Sequence, residues 1–263
     1  MPEIRTIWNS PEEQAQHQEK LRISHQRSDI RNNYLVPIYV MWTSDVPPAE
    51  ANAALQGVLD TRDASGQNRA VVSLGSASFG QGDFSSADWY LEEAFKRQQR
   101  QETLRERGFG AQLIPAYLYG LFTQEPWQAH PHWEVTIVNT DLWSGENDNN
   151  FVFGITNTAF PASIQSIRRY SESIKPGPAR NESIRRLLRH EVGHMFGLTH
   201  RNFNVEDKLG THCANEICTM RQGLSIQEWA ANAEAEYRTS THFCGDCRQE
   251  LASNRDKFLP LPN

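Results

Sequence analysis

Runs of apolar, aromatic and β-branched residues alternate along this chain with charged segments of helical spacing. Tyr34–Thr43 (YLVPIYVMWT) concentrates strand formers and predicts a first buried strand, its start weakened by Pro37. Pro48–Ala64, opened by two prolines, predicts a short helix, and Ala70–Ser73 a brief strand. A Gly- and Ser-rich loop over 75–86 leads into Asp88–Arg107, which is dense in charge and poor in breakers and predicts a helix stopped by Gly108-Phe109-Gly110. Trp133–Val138 (WEVTIV) and Phe151–Asn157 (FVFGITN) predict two further strands, separated by a turn at Asn147–Asn150. Lys175–Pro178 (KPGP) breaks the chain before a helix over Asn181–Phe196, for which Asn181 or Ser183 is a suitable N-cap. Ser225–Thr239 and Asp246–Arg255 predict two last helices. Residues 1–33 are polar, charged and rich in Gln and predict a solvated arm. This order implies an α+β mixed sheet with helices, followed by a smaller irregular subdomain. The expected organisation is one domain over 34–263, divided into an N-terminal part (34–197) and a C-terminal part (198–263).

Composition narrows the partners. With 38% hydrophobic residues, 7 Trp, 7 Tyr and 12 Phe in 263 residues, the chain can bury a real core, which excludes wholesale disorder. A net charge of −6 gives no reason to expect nucleic acid or an anionic membrane as partner. The basic run 96–107 (KRQQRQETLRER) is interleaved with Glu and reads as a charged helix face. The apolar stretches Leu35–Trp42 and Ala111–Phe122 are too short to span a bilayer. The first twenty residues are acidic and lack the apolar core of a secretory signal, so a cytoplasmic location is expected.

The chemistry concentrates in residues 190–200, HEVGHMFGLTH. Residues four apart share a helix face, so His190 and His194 can bind one zinc ion from one side. Glu191 can then deprotonate a water on that ion as general base. Gly197 can adopt positive φ, end the helix and return the chain, which makes His200 the third ligand. Requiring this Gly and this His lowers the chance expectation of the motif about a thousandfold. Three protein ligands leave a position open for water, the catalytic pattern for zinc. His130 and His132, on either side of Pro131, read instead as a loop pair.

Four cysteines lie in the last fifth of the chain: Cys213, Cys218, Cys244 and Cys247. Two close pairs of thiolates can enclose a second, structural zinc ion and pin the C-terminal part. Disulfides and free thiols are the alternatives, and the missing secretory signal favours zinc.

With these residues in place, the chain resembles the metzincins and, more narrowly, the archaemetzincins. That family joins H-E-x-x-H-x-x-G-x-x-H to C-x4-C-x-M and a later C-x-x-C. Here Cys213-Ala-Asn-Glu-Ile-Cys218-Thr-Met220 and Cys244-Gly-Asp-Cys247 match, and Asp141–Thr156 is similar to the segment before the active-site helix. The resemblance covers about residues 130–250. It implies a mostly parallel twisted sheet with an antiparallel edge strand, the active-site helix at a cleft, and two zinc ions, one catalytic and one structural. It makes Met220 the Met-turn residue beneath the histidines, and Phe151, Val152, Phe153 and Gly154 part of an edge strand that pairs with peptide substrate. The implied activity is hydrolysis of peptides or proteins. A zinc protein that binds peptides without cleaving them is the alternative. One departure matters. In the family the third His directly precedes the first Cys, whereas here twelve residues (201–212) separate His200 from Cys213 and the His-Cys pair occurs as His212-Cys213. His200 sits at the standard offset and is the expected ligand; His212 is its rival.

Overall fold

The computed structural model describes residues 37–67, 69–76, 86–106, 108–122, 132–145, 150–157, 162–198, 206–207 and 210–254. The expected arm over 1–33 lies outside the described residues. The chain forms two compact units, one from residues 1–47 and 69–168, the other from 48–68 and 169–263.

The first unit is built on five strands: β1 (Ile38–Trp42), β2 (Val71–Gly75), β3 (Trp133–Val138), β4 (Gly154–Asn157) and β5 (Ala162–Ser166). Their order is β2-β1-β3-β5-β4. The β1–β2, β1–β3 and β3–β5 pairings are parallel, and β4 runs antiparallel to β5 at one edge. The sheet is therefore mixed and mostly parallel, as expected. Every residue of β3 and β5 is buried, in keeping with central strands covered on both faces. On one face Tyr39, Met41, Val138 and Ile164 pack with Tyr90 and Ala94 of α2 (Ala87–Gln101) and with Leu118, Leu121 and Phe122 of α3 (Pro115–Phe122). Ser86 caps α2 by accepting a hydrogen bond from the Trp89 amide.

Five local readings change. The helix expected to reach Arg107 ends at Gln101, where Glu102 turns extended (φ −154°, ψ 161°), and Gly108 and Gly110, at φ 73° and 94°, turn the chain only further on. Its last turn is held by Gln98, whose side chain donates to Gln112 O (3.0 Å) and accepts from Ile114 N (2.9 Å). The apolar run ending at Phe122 forms α3, opened by Pro115 in its first turn. The strand expected over 151–157 is regular only from Gly154; Val152 bridges Leu142 instead, and the Phe151 and Phe153 rings pack edge to face at 4.9 Å. β5 (ASIQS) alternates apolar and polar residues only from Ala162 to Gln165, with Ile164 its one large apolar residue, and pairing on both sides makes it a strand. His132 is buried and its ring stacks on Tyr39 at 4.7 Å, while His130 lies outside the described residues.

The second unit contains α1 (Pro48–Ala64), α4 (Arg168–Ser173), α5 (Pro178–Met195), α6 (Ile226–Thr239), α7 (Gly245–Ser253) and a two-stranded hairpin of β6 (Glu206–Asp207) and β7 (Gly210–Thr211). The start of α5 lies three residues before the expected Asn181. Gly177 serves as its N-cap and Pro178 occupies the first turn, so the KPGP breaker is itself the helix start. The helices α1 and α5 touch at Gly57, where a Cβ would lie 2.4 Å from Arg185 O and 2.8 Å from the Leu188 Cβ. Ion pairs from Asp60 to Arg185 (2.7 Å) and Arg189 (3.0 Å) join the same two helices. Burial opposes ionisation of Asp60, but hydrogen bonds and charge from both arginines hold its carboxyl below the usual value. No helix among the described residues is long and apolar enough to cross a membrane.

Candidate metal centres

The C-terminus of α5 builds the first centre. Gly197, at φ 82°, ends the helix as the sequence predicts. Its amide donates to His194 O (2.9 Å) and the Leu198 amide to Gly193 O (3.0 Å). These two bonds form a Schellman motif, which only a residue at ease with positive φ completes without strain.

His190 and His194 lie one helical turn apart, with their Nε2 atoms 3.3 Å from each other. Each ring is fixed through its other nitrogen. His190 Nδ1 donates to Thr219 O at 2.9 Å and His194 Nδ1 donates to Leu198 O at 2.9 Å. A carbonyl only accepts, so the proton of each ring sits on Nδ1 and each Nε2 presents a lone pair. Burial, then the neighbouring His194, His212 and Arg186, push the His190 pKa well below the ordinary imidazole value. The ring is neutral, the form that ligates metal.

The third histidine of the cluster is His212. It follows β7 directly and is 4% exposed. Its ring stacks on His190 at 5.2 Å and meets His194 edge-on at 5.4 Å. Ligating atoms of His190, His194 and His212 all lie within 4.8 Å of one another. His200 lies outside the described residues. Glu191 follows His190 on α5 and is also buried, at 8% exposure.

Met220 is fully buried against the same turn of α5. A Cβ on Gly193 would lie 2.6 Å from its sulfur, so the glycine inside the motif makes room for the methionine. Trp229 of α6 packs edge-on against His190 at 5.3 Å, carries the Arg186 guanidinium over its ring at 4.3 Å, and donates to Ser183 O.

The second centre gathers all four cysteines, three buried and Cys244 half-buried, with their sulfurs within 4.8 Å of one another. Cys213 and Cys244 are 3.7 Å apart and Cys218 and Cys247 3.6 Å, far beyond a disulfide bond of about 2.05 Å. Backbone amides of Asn215 and Cys244 donate to the sulfurs of Cys213 and Cys218, each at 3.4 Å. Hydrogen bonding with Cys218 and Cys247 pulls the Cys213 thiol down to about 2, while Cys218 and Cys247 are pushed far above the ordinary thiol range by their bonds to Cys213. One thiolate thus suppresses ionisation of its neighbours. Holding four thiolates there requires a compensating dication.

Both clusters have the dimensions of zinc sites. Two nitrogens about 2.05 Å from a tetrahedral zinc ion lie about 3.3 Å apart, and two sulfurs at about 2.3 Å lie about 3.8 Å apart. The Nε2 pair at 3.3 Å and the sulfur pairs at 3.6 and 3.7 Å meet these distances.

Sequence reasoning missed the residues that hold the two centres. Arg186, Arg189 and Glu236 are fully buried and paired with one another. The available signal was charge on a helix face that otherwise buries Ile184, Leu187 and Leu188.

The fold and site together define a protein with a five-stranded mixed sheet and two buried donor clusters suited to zinc, one of them on an H-E-x-x-H helix. In sequence, the chain is related to the archaemetzincins. It is 28% identical over 129 residues to an archaemetzincin of Thermococcus kodakarensis, a match covering 48% of this chain and 58% of the relative. It is 29% identical over 103 residues to one of Pyrobaculum aerophilum, covering 39% and 51%. The chain thus spans little more than half the length of the curated relatives it matches. No family model matches it. Among solved structures, a zinc-dependent peptidase from Methanocorpusculum labreanum aligns over 81% of this chain and 99% of that one, with a TM-score of 0.46 and 20% identity. Archaemetzincin from Archaeoglobus fulgidus, complexed with malonate, aligns over 82% and 99%, with a TM-score of 0.44 and 18% identity.

Proposed function

We propose that this chain is a zinc-dependent metallopeptidase in which His190, His194 and His212 hold the catalytic ion and Glu191 is the general base. The observation that carries this reading is the pair of Nε2 atoms 3.3 Å apart, each ring committed through Nδ1 to a backbone carbonyl. Zinc bound there supplies Lewis-acid polarisation of a scissile carbonyl and acidifies a water. Glu191 takes a proton from the attacking water and passes it to the leaving amine. His190 and His194 stay fixed through the reaction because their Nδ1 bonds prevent ring rotation.

His212 is preferred over His200 as third ligand for its place beside both other rings. The H-x-x-G-x-x-H spacing still favours His200, which makes it the second reading. Met220 acts as the Met-turn residue, a role its packing on Gly193 supports. Cys213, Cys218, Cys244 and Cys247 hold a second, structural zinc ion. The substrate is a peptide or protein chain, for which β4, last in the sheet order, and the preceding Phe151, Val152 and Phe153 offer an edge strand. The acidic balance argues against nucleic acid or an anionic membrane as partner, and reduced cysteines suit the cytoplasm.

The deciding experiment compares parent and Glu191→Gln protein, both zinc-loaded, on a diverse peptide library read by mass spectrometry. The parent should cleave, and the variant should keep its metal and lose turnover. Parent protein that retains zinc and cleaves nothing would instead be a peptide-binding module.

A further inference from the structure

Thr219 follows a cysteine of one metal centre and is bonded to a histidine of the other. It lies between Cys218 of the cysteine cluster and Met220 beneath the histidines, and each of its polar atoms has a partner. Its carbonyl accepts from His190 Nδ1 (2.9 Å), its hydroxyl donates to Glu236 Oε2 (2.6 Å), and its amide donates to His242 O (2.7 Å). Glu236 is fully buried and accepts as well from Arg186 Nε and from Arg189 Nη2 (3.0 Å). Arg186 then returns to the cysteine segment, donating through Nη2 to Cys218 O (3.2 Å) and Arg221 O (2.8 Å). Backbone on both sides of Thr219 is thus held by one buried arginine and its side chain by one buried glutamate.

Such a cluster is a poor way to stabilise a core, because desolvating two guanidiniums and a carboxylate consumes most of their mutual attraction. It is a good way to fix geometry. Arg186 holds the Cys218 and Arg221 carbonyls and Glu236 holds the Thr219 hydroxyl, so the residue whose carbonyl accepts from His190 is fixed from its side chain and from the backbone on either side. Metal ligands depend on partners of this kind for orientation, commonly to the extent of 10–100-fold in affinity.

We propose that Thr219 and Glu236 are positioning residues for the histidine centre, and that the cysteine centre acts on it through them. Filling the cysteine centre fixes the backbone at Cys218, hence the Thr219 carbonyl, hence the His190 ring, and so raises the affinity of the histidine centre for metal. By linkage the effect is reciprocal. The inference rests on the proposed histidine metal site.

The test loads the whole chain with cobalt(II), whose thiolate charge-transfer absorption reports the cysteine centre and whose ligand-field bands report the histidine centre. Affinity at each is read by chelator competition. Thr219→Val, which keeps shape and removes the hydroxyl, should weaken the histidine centre about tenfold and leave unchanged the affinity of the cysteine centre measured with the histidine centre empty. Thr219→Ser should restore parent behaviour. Cys244→Ser should also weaken the histidine centre, and adding it to Thr219→Val should weaken that centre no further. Should Thr219→Val not fold, Glu236→Gln takes its place with the same expectation. Equal affinity of the histidine centre in parent and variant would overturn the proposal. So would parallel loss of both centres with the thermal midpoint, since that marks a purely structural role. A parent that binds no cobalt through histidine overturns the underlying metal site itself.

Discussion

His194 is held by Leu198, the residue that closes its own helix. The Leu198 carbonyl accepts from His194 Nδ1 at 2.9 Å, while the Leu198 amide donates to Gly193 O at 3.0 Å. Helix termination and ligand orientation are therefore one structure, and its hinge is Gly197 at φ 82°. Gly197→Ala places a Cβ in the left-handed region at a cost of about 1–2 kcal/mol. The expected outcome is a thermal midpoint several degrees lower and weaker zinc binding at the histidine centre, with the cysteine centre unaffected. Calorimetry and chelator competition measure the two effects. Unchanged zinc affinity would show that the Leu198 carbonyl does not set the ring.

The third ligand is decided by two substitutions. His212→Ala should empty the histidine centre, leaving one zinc per chain, whereas His200→Ala should leave two. Metal analysis on purified protein reads the difference directly. The reverse pattern would assign the ligand to His200 and leave His212 as a neighbouring ring. Loss of metal from neither variant would mean that two histidines suffice.

How much of this was legible in the sequence follows from the range of each interaction. The spacing of His190, Glu191, His194 and Gly197 was readable because helix period and positive φ are local properties. The mostly parallel sheet with an antiparallel edge came from the resemblance, and the β1 and β3 segments carried their own apolar signal. The His212-Cys213 pair made His212 a legible rival to His200, but its place beside the His190 and His194 rings depends on long-range folding that spacing along the chain does not encode. β5 escaped for a related reason. Its Ser163, Gln165 and Ser166 are buried by pairing with β3 and β4, not by their own hydrophobicity. Arg186 and Glu236 are fifty residues apart, and nothing in either segment announces the other.

Gly193 and Met220 share one volume. A Cβ at Gly193 would fall 2.6 Å from the Met220 sulfur, which is fully buried and has little room to move. Gly193→Ala should cost about 1–3 kcal/mol through overpacking, and Met220→Ala about 2–5 kcal/mol through the cavity it leaves. The double variant should lose less than the sum, since the new methyl occupies part of that cavity. Denaturant melts of the four proteins test this. Additive losses would mean that the two side chains do not compete for space, and would weaken the case for Met220 as the residue packed under the ligands.

Glu134 sits in the middle of the sheet on β3, is 1% exposed, and accepts a hydrogen bond from Thr136 at 2.7 Å, while its Oε2 has no hydrogen-bond partner among the described residues. Burial raises its pKa from 4.5 to about 8, with the Thr136 bond opposing. The folded chain therefore keeps a proton that the unfolded chain releases above 4.5. Between pH 4.5 and about 8 the unfolded state binds fewer protons, so stability falls as pH rises, by up to about 1.4 kcal/mol per pH unit, and levels off above 8. Glu134→Gln keeps the shape, accepts the same bond and has no proton to lose. Its stability should be nearly flat over that window from this source, so the variant should gain on the parent steadily from pH 5 to pH 8. Urea melts of both proteins at intervals of one pH unit measure the difference. Parallel curves would show that Glu134 is ionised in the fold, with a charged or polar partner that stabilises the carboxylate.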